Sequence, residues 1–256
     1  MSAFEAVVGQ RLRDGQNGSA LLRDLLQHIR STPADGEDLL QFFAFAAPRA
    51  REAKGQLFQD LWALWESGSR RNGYFVEFGG GDGISLSNSY YLETVCGWDG
   101  IVAEPHPRFF QSVSETRRCH LSNRAVFTTT GETLTFLPTS SPELSRLEVV
   151  VPEDSHEKKG TRKPIDRIQV ETITLADLLA EANAPHRIDY LSVDTEGSEL
   201  AILKSFDFRS RDIRCISVEH NGTAQRDAIH DLLARNGFRR KWEELTWFDD
   251  WYVRGS

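Results

Sequence analysis

The chain predicts an α/β fold, a mostly parallel, doubly wound sheet with an N-terminal helical extension, and three observations carry that prediction. From about Gly73 short apolar runs alternate with stretches of helical periodicity, the pattern of parallel strands joined by crossover helices. A glycine-rich turn, Gly79 to Gly83, follows the first apolar run. Acidic residues close the second, fourth and fifth runs, where ligands bind in open α/β sheets.

Taken in order, the first seventy residues read as helices. Leu21, Leu22, Leu25, Leu26 and Ile29 recur at helical spacing, as do Leu57, Leu61, Leu64 and Trp65, with Pro33 and Asp35-Gly36 between the two patterns. Strands are expected at 74–78, 100–104, 122–127, 188–194 and 213–219, and helices at 85–95, 107–115, 174–182, 199–206 and 224–236. The aromatic tail, 247–253, reads as a closing strand. Residues 1–70 are thus expected as the extension and 71–256 as the main domain. Within the latter, residues 140–167 are rich in Ser, Pro, Glu and Lys. So long an irregular insert is either a surface loop or an active-site lid.

Composition narrows the function classes. Of 256 residues 27% are charged and 39% hydrophobic, with no run of the 18 or more apolar residues that a membrane span needs. Three separated cysteines (Cys96, Cys119, Cys215) form neither a disulfide framework nor a zinc pattern. With no secretory signal pattern at the N-terminus, a cytoplasmic location is expected. A net charge of −8 argues against nucleic acid as substrate, and favours a small-molecule or glycan acceptor.

The glycine turn reads Glu77-x-Gly79-x-Gly81-x-Gly83 between a strand and a helix. Glycines there allow a sharp turn and close approach of a ligand, and the amides that follow can face an anionic group. Glu77 would repel a dinucleotide pyrophosphate but suits the ammonium of a methionine moiety, which favours S-adenosylmethionine over a nicotinamide cofactor. Glu104, before Pro105 at the end of the second strand, can accept hydrogen bonds from both ribose hydroxyls. Asn123, at the third strand, would reach the adenine or cap a turn. After the fourth strand comes Asp194-Thr195-Glu196-Gly197-Ser198-Glu199; after the fifth, Glu219-His220-Asn221-Gly222. Glu199 is read as helix capping, Asp194 and Glu196 as site residues. Asp194, Glu219 and Asn221 offer oxygen donors for Mg²⁺ or another divalent cation. His220 or Glu196 would serve as general base.

Several of these segments together resemble the FkbM family of adenosylmethionine-dependent methyltransferases. The matching text is Phe75-Val76-Glu77-Phe78-Gly79 through Asp82-Gly83, Ser87-Asn88-Ser89, Leu92-Glu93, Trp98-x-Gly100-Ile101-Val102-x-Glu104-Pro105, Asn123-x-Ala125-Val126 and the run from Ile188 to Glu199. The resemblance implies a Rossmann-like class I methyltransferase fold and methyl transfer to a hydroxyl of a sugar, glycan or natural product. The cofactor site so expected comprises Glu77, Gly79, Gly81, Asp82, Gly83, Ser87, Glu104, Pro105, Asn123 and Asp194. The catalytic candidates are Asp194, Glu196 and His220. A nicotinamide-dependent oxidoreductase and a non-catalytic binding module are the alternatives. The N-terminal helices are expected to cover the site, bind the acceptor or pair two copies of the chain.

Overall fold

The computed structural model describes residues 35–151, 154–243 and 245–255. The helical pattern at Leu21 to Ile29 lies outside the described residues. Two helices open the described chain, α1 (Asp35–Ala46) and α2 (Gln59–Glu66). The sheet then begins with β1 (Tyr74–Phe78), the short helix α3 (Tyr90–Thr94), β2 (Asp99–Ala103), α4 (Pro107–Thr116) and β3 (His120–Ser122). A smaller strand-rich unit follows, made of β4 (Ala125–Val126), β5 (Thr133–Leu137), β6 (Arg146–Leu147), the single turn α5 (Ser155–Lys158) and β7 (Ile168–Ile173). The alternation resumes through α6 (Leu175–Glu181), β8 (Arg187–Val193), α7 (Glu199–Ser205), β9 (Asp212–Glu219) and α8 (Gln225–Arg235). It closes with β10 (Phe238–Lys241) and β11 (Asp249–Arg254).

The main sheet has the order β10-β11-β9-β8-β1-β2-β3. All its strand pairs are parallel except those of β11, which runs antiparallel to β9 and β10. The winding reverses between β1 and β8, so a crevice opens there beyond the carboxyl ends of the strands. Alternation along the strands gives each face its own core. Val76, Phe78, Ile101, Leu191, Val193, Ile216 and Val218 pack with Leu178, Leu203 and Leu233 on one face. On the other, Phe75, Val102, Tyr190 and Trp251 pack with Phe42, Leu61 and Trp62. Trp62 stacks on Trp251 at a centroid distance of 4.9 Å. The helices from Asp35 onward therefore cover a sheet face directly, and Lys241 at the sheet edge pairs with Asp38 of α1 and Glu66 of α2.

Three expectations are corrected. The strand anticipated at 122–127 is broken at Asn123-Arg124: β3 ends in the main sheet, and β4 pairs with β7 in a second sheet of order β4-β7-β5-β6. The insert is not irregular, since β6 pairs with β5 and α5 is capped by Asp154, whose carboxylate accepts from Glu157 N at 2.8 Å. The flanking strands β5 and β7 pair across more than thirty residues, Thr133 with Glu171 and Phe136 with Ile168, so no local pattern announces the sheet to which β6 adds. The helix expected at 85–95 shrinks to α3, because side chains capture the backbone before it. Asp82 Oδ1 accepts from Ile84 N and Ser85 N, and Glu77 Oε1 from Asn88 N.

Candidate active site

A cavity of about 690 Å³ lies beyond the carboxyl ends of β1, β2, β8 and β9, large enough for a cofactor and part of an acceptor. Its floor includes Gly79, Gly80, Gly81, Asp82, Glu104 and Pro105 on one side, and Asp194, Glu196, Glu219 and Asn221 on the other. Gln56, Gln59 and Asn88 close the end toward the N-terminal helices, and Phe136, Leu144, Leu147, His156 and Thr161 of the smaller unit wall the far side.

Two glycines make the crevice possible. Gly79 has φ 84°, and a Cβ there would come within 2.0 Å of the Asp194 carbonyl oxygen, so the loop after β1 lies against the end of β8. At Gly81 (φ 52°) a Cβ would meet nothing within 4 Å, which leaves that part of the cavity bounded by backbone alone. Gly81 N donates to Glu104 Oε2 at 2.9 Å and His106 N to Oε1 at 2.8 Å. These amides fix the carboxylate at the end of β2 and leave a lone pair on each oxygen for a diol. Burial pushes the Glu104 carboxyl up to about 7, with the nearby Glu77 charge adding to the effect and the two amides opposing it.

Glu77 does not reach this space. It shares a sheet face with Phe75, the face covered by α2 and the 84–89 segment, because side chains alternate along β1. Its buried carboxylate accepts from Ser87 Oγ at 2.9 Å, from Asn88 N at 2.6 Å and from Ser89 Oγ, with Arg117 Nη1 at 3.6 Å. Glu77 and Ser87 thus build the segment that forms the cavity wall. Gly83 is likewise behind the wall, where a Cβ would press on Val113 and Thr116 of α4 at 3.1 Å. Asn123 is exposed and borders a separate depression with Pro107, Phe110 and Arg124. Of the ten residues expected around the cofactor, the structure brings Gly79, Gly81, Asp82, Glu104, Pro105 and Asp194 to the cavity.

On the reaction side, carboxylate oxygens of Asp194, Glu196 and Glu219 lie within 4.8 Å of one another. Asn221 lines the same space but turns its amide nitrogen toward Glu196 Oε2 at 3.5 Å, so Glu196 takes its place in the convergent set. Burial raises all three carboxyls; the charge of Glu196 adds to this at Asp194, and those of Asp194 and Glu196 at Glu219, so both stand well above the usual range. Glu196 is pushed up to about 8, although the guanidinium of Arg162 opposes the shift. Arg162 comes from the insert, has its side chain buried, and bridges Glu196 to Asp154 at 2.5 Å from the latter. His220 does not line the cavity. Gly222 N donates to its Nδ1 at 2.9 Å, and its Nε2 lies 3.0 Å from the Asp249 carbonyl oxygen. Both ring nitrogens are engaged, and burial holds the ring below its ordinary pKa.

The residues that sequence reasoning missed are long-range partners. Gln59 Nε2 donates to Asp249 Oδ2 at 2.7 Å, joining α2 to β11 at the cavity. Asn88 Nδ2 donates to Ser192 Oγ at 3.0 Å, while its buried Oδ1 has no partner among the described residues. An unpaired buried acceptor at a cavity wall suits a ligand N–H. Together with the diol-ready Glu104 and the open space over Gly81, it fits the amino and ribose groups of adenosylmethionine. Only Asn88 had a signal, as part of Ser87-Asn88-Ser89.

Among solved structures, the chain is similar to the METTL16 methyltransferase domain (12% identity, TM-score 0.41, covering 75% of this chain and 63% of that one). It is similar to precorrin-6y C5,15-methyltransferase from Geobacter metallireducens (10%, 0.39, 77% and 87%). A TehB-like SAM-dependent methyltransferase from Corynebacterium glutamicum matches at 11% identity and TM-score 0.39, covering 87% of this chain and 100% of that one. No curated protein matches in sequence. Likenesses this distant carry no argument of their own; the family profile described as Methyltransferase FkbM domain, which matches residues 77–240, does. With that match over most of the chain and a seven-stranded sheet of mostly parallel order, this protein belongs to the FkbM family of S-adenosylmethionine-dependent methyltransferases.

Proposed function

We propose that the protein is an O-methyltransferase acting on a hydroxyl of a sugar, glycan or glycosylated small molecule. The observation that carries the reading is the convergence of Asp194, Glu196 and Glu219 in the cavity beside the glycine loop. An alcohol loses its proton as its oxygen is alkylated, and a carboxyl with a pKa near the working pH is suited to receive it. Glu196, at about 8, is that group.

Bound adenosylmethionine supplies an electrophilic methyl group on a sulfonium. Glu104 would accept from its ribose hydroxyls and Asn88 Oδ1 from its ammonium, and the apolar wall of Phe136 and Leu147 would receive its adenine. The methyl group would pass to the acceptor oxygen as its C–S bond breaks, and a carboxylate oxygen of Glu196 would take the hydroxyl proton. Arg162 holds that carboxylate in place through the pair described above. Alignment of the reacting atoms contributes roughly 7–11 kcal/mol in such transfers. The net charge of −8 supports an uncharged acceptor over a nucleic acid.

The test is calorimetric binding of S-adenosylhomocysteine, followed by tritium transfer from adenosylmethionine to a panel of glycosides. Failure to bind the former, or to methylate any hydroxylated acceptor, refutes the proposal. The same three carboxylates offer a divalent cation a second arrangement, and chelation separates the two. We expect turnover to survive EDTA; loss with EDTA and recovery with Mg²⁺ would reassign the cluster to a metal.

A further inference from the structure

Among the described residues that line the cavity there is no lysine or arginine, but there are two imidazoles, those of His106 and His156. Their ring nitrogens are used in opposite ways. His106 Nδ1 accepts from Arg108 N at 3.2 Å, so in the neutral ring the hydrogen lies on Nε2. This ring packs on Phe109 and Phe136, with centroids at 4.8 and 6.3 Å, as part of the apolar wall.

His156 belongs to α5 of the insert, and its Nδ1 lies 3.2 Å from Thr161 Oγ1. That hydroxyl has one hydrogen, which it gives to the His156 carbonyl oxygen at 3.0 Å. Thr161 Oγ1 therefore receives at the ring, Nδ1 carries the hydrogen, and Nε2 is left with a lone pair. Among the described residues no hydrogen bond reaches Nε2. The ring is not core filling either: His156 is half-buried and Thr161 exposed, and both line the cavity.

The segment that carries the ring is held at both ends. Asp154 caps α5 through Glu157 N at 2.8 Å and binds Arg162 Nη1 at 2.5 Å. Within it, Thr161 N donates to the His156 carbonyl and Gly160 N to that of Glu157, each at 3.0 Å. Residues 154–162 are thus a loop closed on one carboxylate. Arg162, next to Thr161 in the chain, reaches Glu196 with Nη2. One guanidinium therefore fixes both the loop that bears His156 and the carboxylate at the floor.

We infer that His156 is an acceptor-binding residue, whose Nε2 accepts from a hydroxyl of the acceptor other than the one that is methylated. The methylated oxygen belongs at the floor, where Glu196 stands near the glycine loop, and the insert wall meets another part of the same molecule. The acceptor is then a polyol, with one hydroxyl at Glu196 and a second at His156. The inference rests on the hydroxyl-methylation reading and deepens it by naming a residue that selects the acceptor.

Two substitutions separate this role from a structural one. His156→Gln places an amide oxygen near the position of Nε2 and gives up the bond to Thr161. His156→Asn places an amide nitrogen near that of Nδ1 and gives up the acceptor at Nε2. The full chain is assayed by tritium transfer from adenosylmethionine to the methyl glycosides of glucose, galactose, mannose and rhamnose. With the glycoside that the parent chain methylates fastest, His156→Asn is expected to raise KM about tenfold with kcat little changed, and His156→Gln to stay within about twofold of the parent. Melting temperature and S-adenosylhomocysteine affinity should match the parent in both.

The reverse order, with His156→Gln impaired and His156→Asn intact, makes the ring a support for Thr161 and overturns the inference. Equal effects of the two substitutions overturn it as well, and so does a fall in kcat at constant KM, which would make the ring itself the base. The tautomer is read without any acceptor, from two-bond proton–nitrogen spectra of the chain with isotope-labelled histidine, at about pH 8, where imidazoles are neutral. The signal lost in both variants is expected to report a hydrogen on Nδ1; a hydrogen on Nε2 overturns the inference by itself. A parent chain that methylates none of the four glycosides strikes instead the hydroxyl-methylation reading beneath it.

Discussion

Two buried glutamates stand near the ends of neighbouring strands and do opposite work. Glu77, within β1, is met by two hydroxyls, a backbone amide and the guanidinium of Arg117. Glu196, just beyond β8, faces Asp194 and Glu219, with Arg162 as its cation. The first carboxylate has donors on every side and is a structural anchor. The second is held among like charges, where the proton is easily taken up. What separates them is the number of donors each meets, since both are glutamates in a low-dielectric interior.

The comparison can be broken from either side. The largest effect is expected at Glu196→Gln, which keeps the shape and removes the base: kcat/KM should fall about 10²–10⁴-fold with adenosylhomocysteine affinity retained. In the parent, kcat/KM should climb with pH up to about 8, and this limb should vanish in the variant. Equal pH profiles would place the base elsewhere. Glu77→Ala should act on folding, costing about 3–5 kcal/mol in denaturant unfolding, because Ser87 Oγ, Asn88 N and Ser89 Oγ lose their buried acceptor and Arg117 keeps only Glu93 as its ion-pair partner. A variant as stable as the parent that loses only cofactor binding would return Glu77 to the ligand.

Glu104→Ala, on the cofactor side, should weaken adenosylhomocysteine by about 1.5–3 kcal/mol, roughly ten- to hundredfold, with the melting temperature little changed. The smallest effect concerns the free protein. Glu104 and Asp249 are pushed up to about 7 and Glu196 to about 8, chiefly by burial. In the unfolded chain such carboxyls titrate near their ordinary value of about 4. The folded state therefore keeps protons that the unfolded state has released, and this contribution to stability is lost as pH rises from about 4 to 8. Asp82, Asp154 and Asp250 are held low by hydrogen bonds and ion pairs that outweigh their burial, so their stabilisation is lost below about pH 4. The melting temperature should peak on the acid side of neutrality, and a curve that rises from pH 5 to 8 would contradict the burial of the cluster.

Much of the site was legible along the chain. The glycine turn, Glu104-Pro105 and the two acidic runs all fall where the structure puts the cavity, because strand ends in such a sheet converge on one edge. Side-chain direction was less accessible. Alternation along β1 would have turned Glu77 away with Phe75, but the covering segment on that face could not be anticipated. For His220 nothing local indicated that the β11 backbone would engage one ring nitrogen while Gly222 N engaged the other.

By itself the sequence determined the winding of the sheet and the residues at its carboxyl edge, since both follow from local periodicity and turn chemistry. Only the tertiary structure decided which of those carboxylates are satisfied and which confront one another. It also brought Gln59, Asn88 and Arg162 to the cavity from distant segments, and paired β5 with β7, the strands that flank the insert, across more than thirty residues. Those outcomes depend on donors and strands that meet only when the chain has folded, and no spacing in the sequence encodes such meetings.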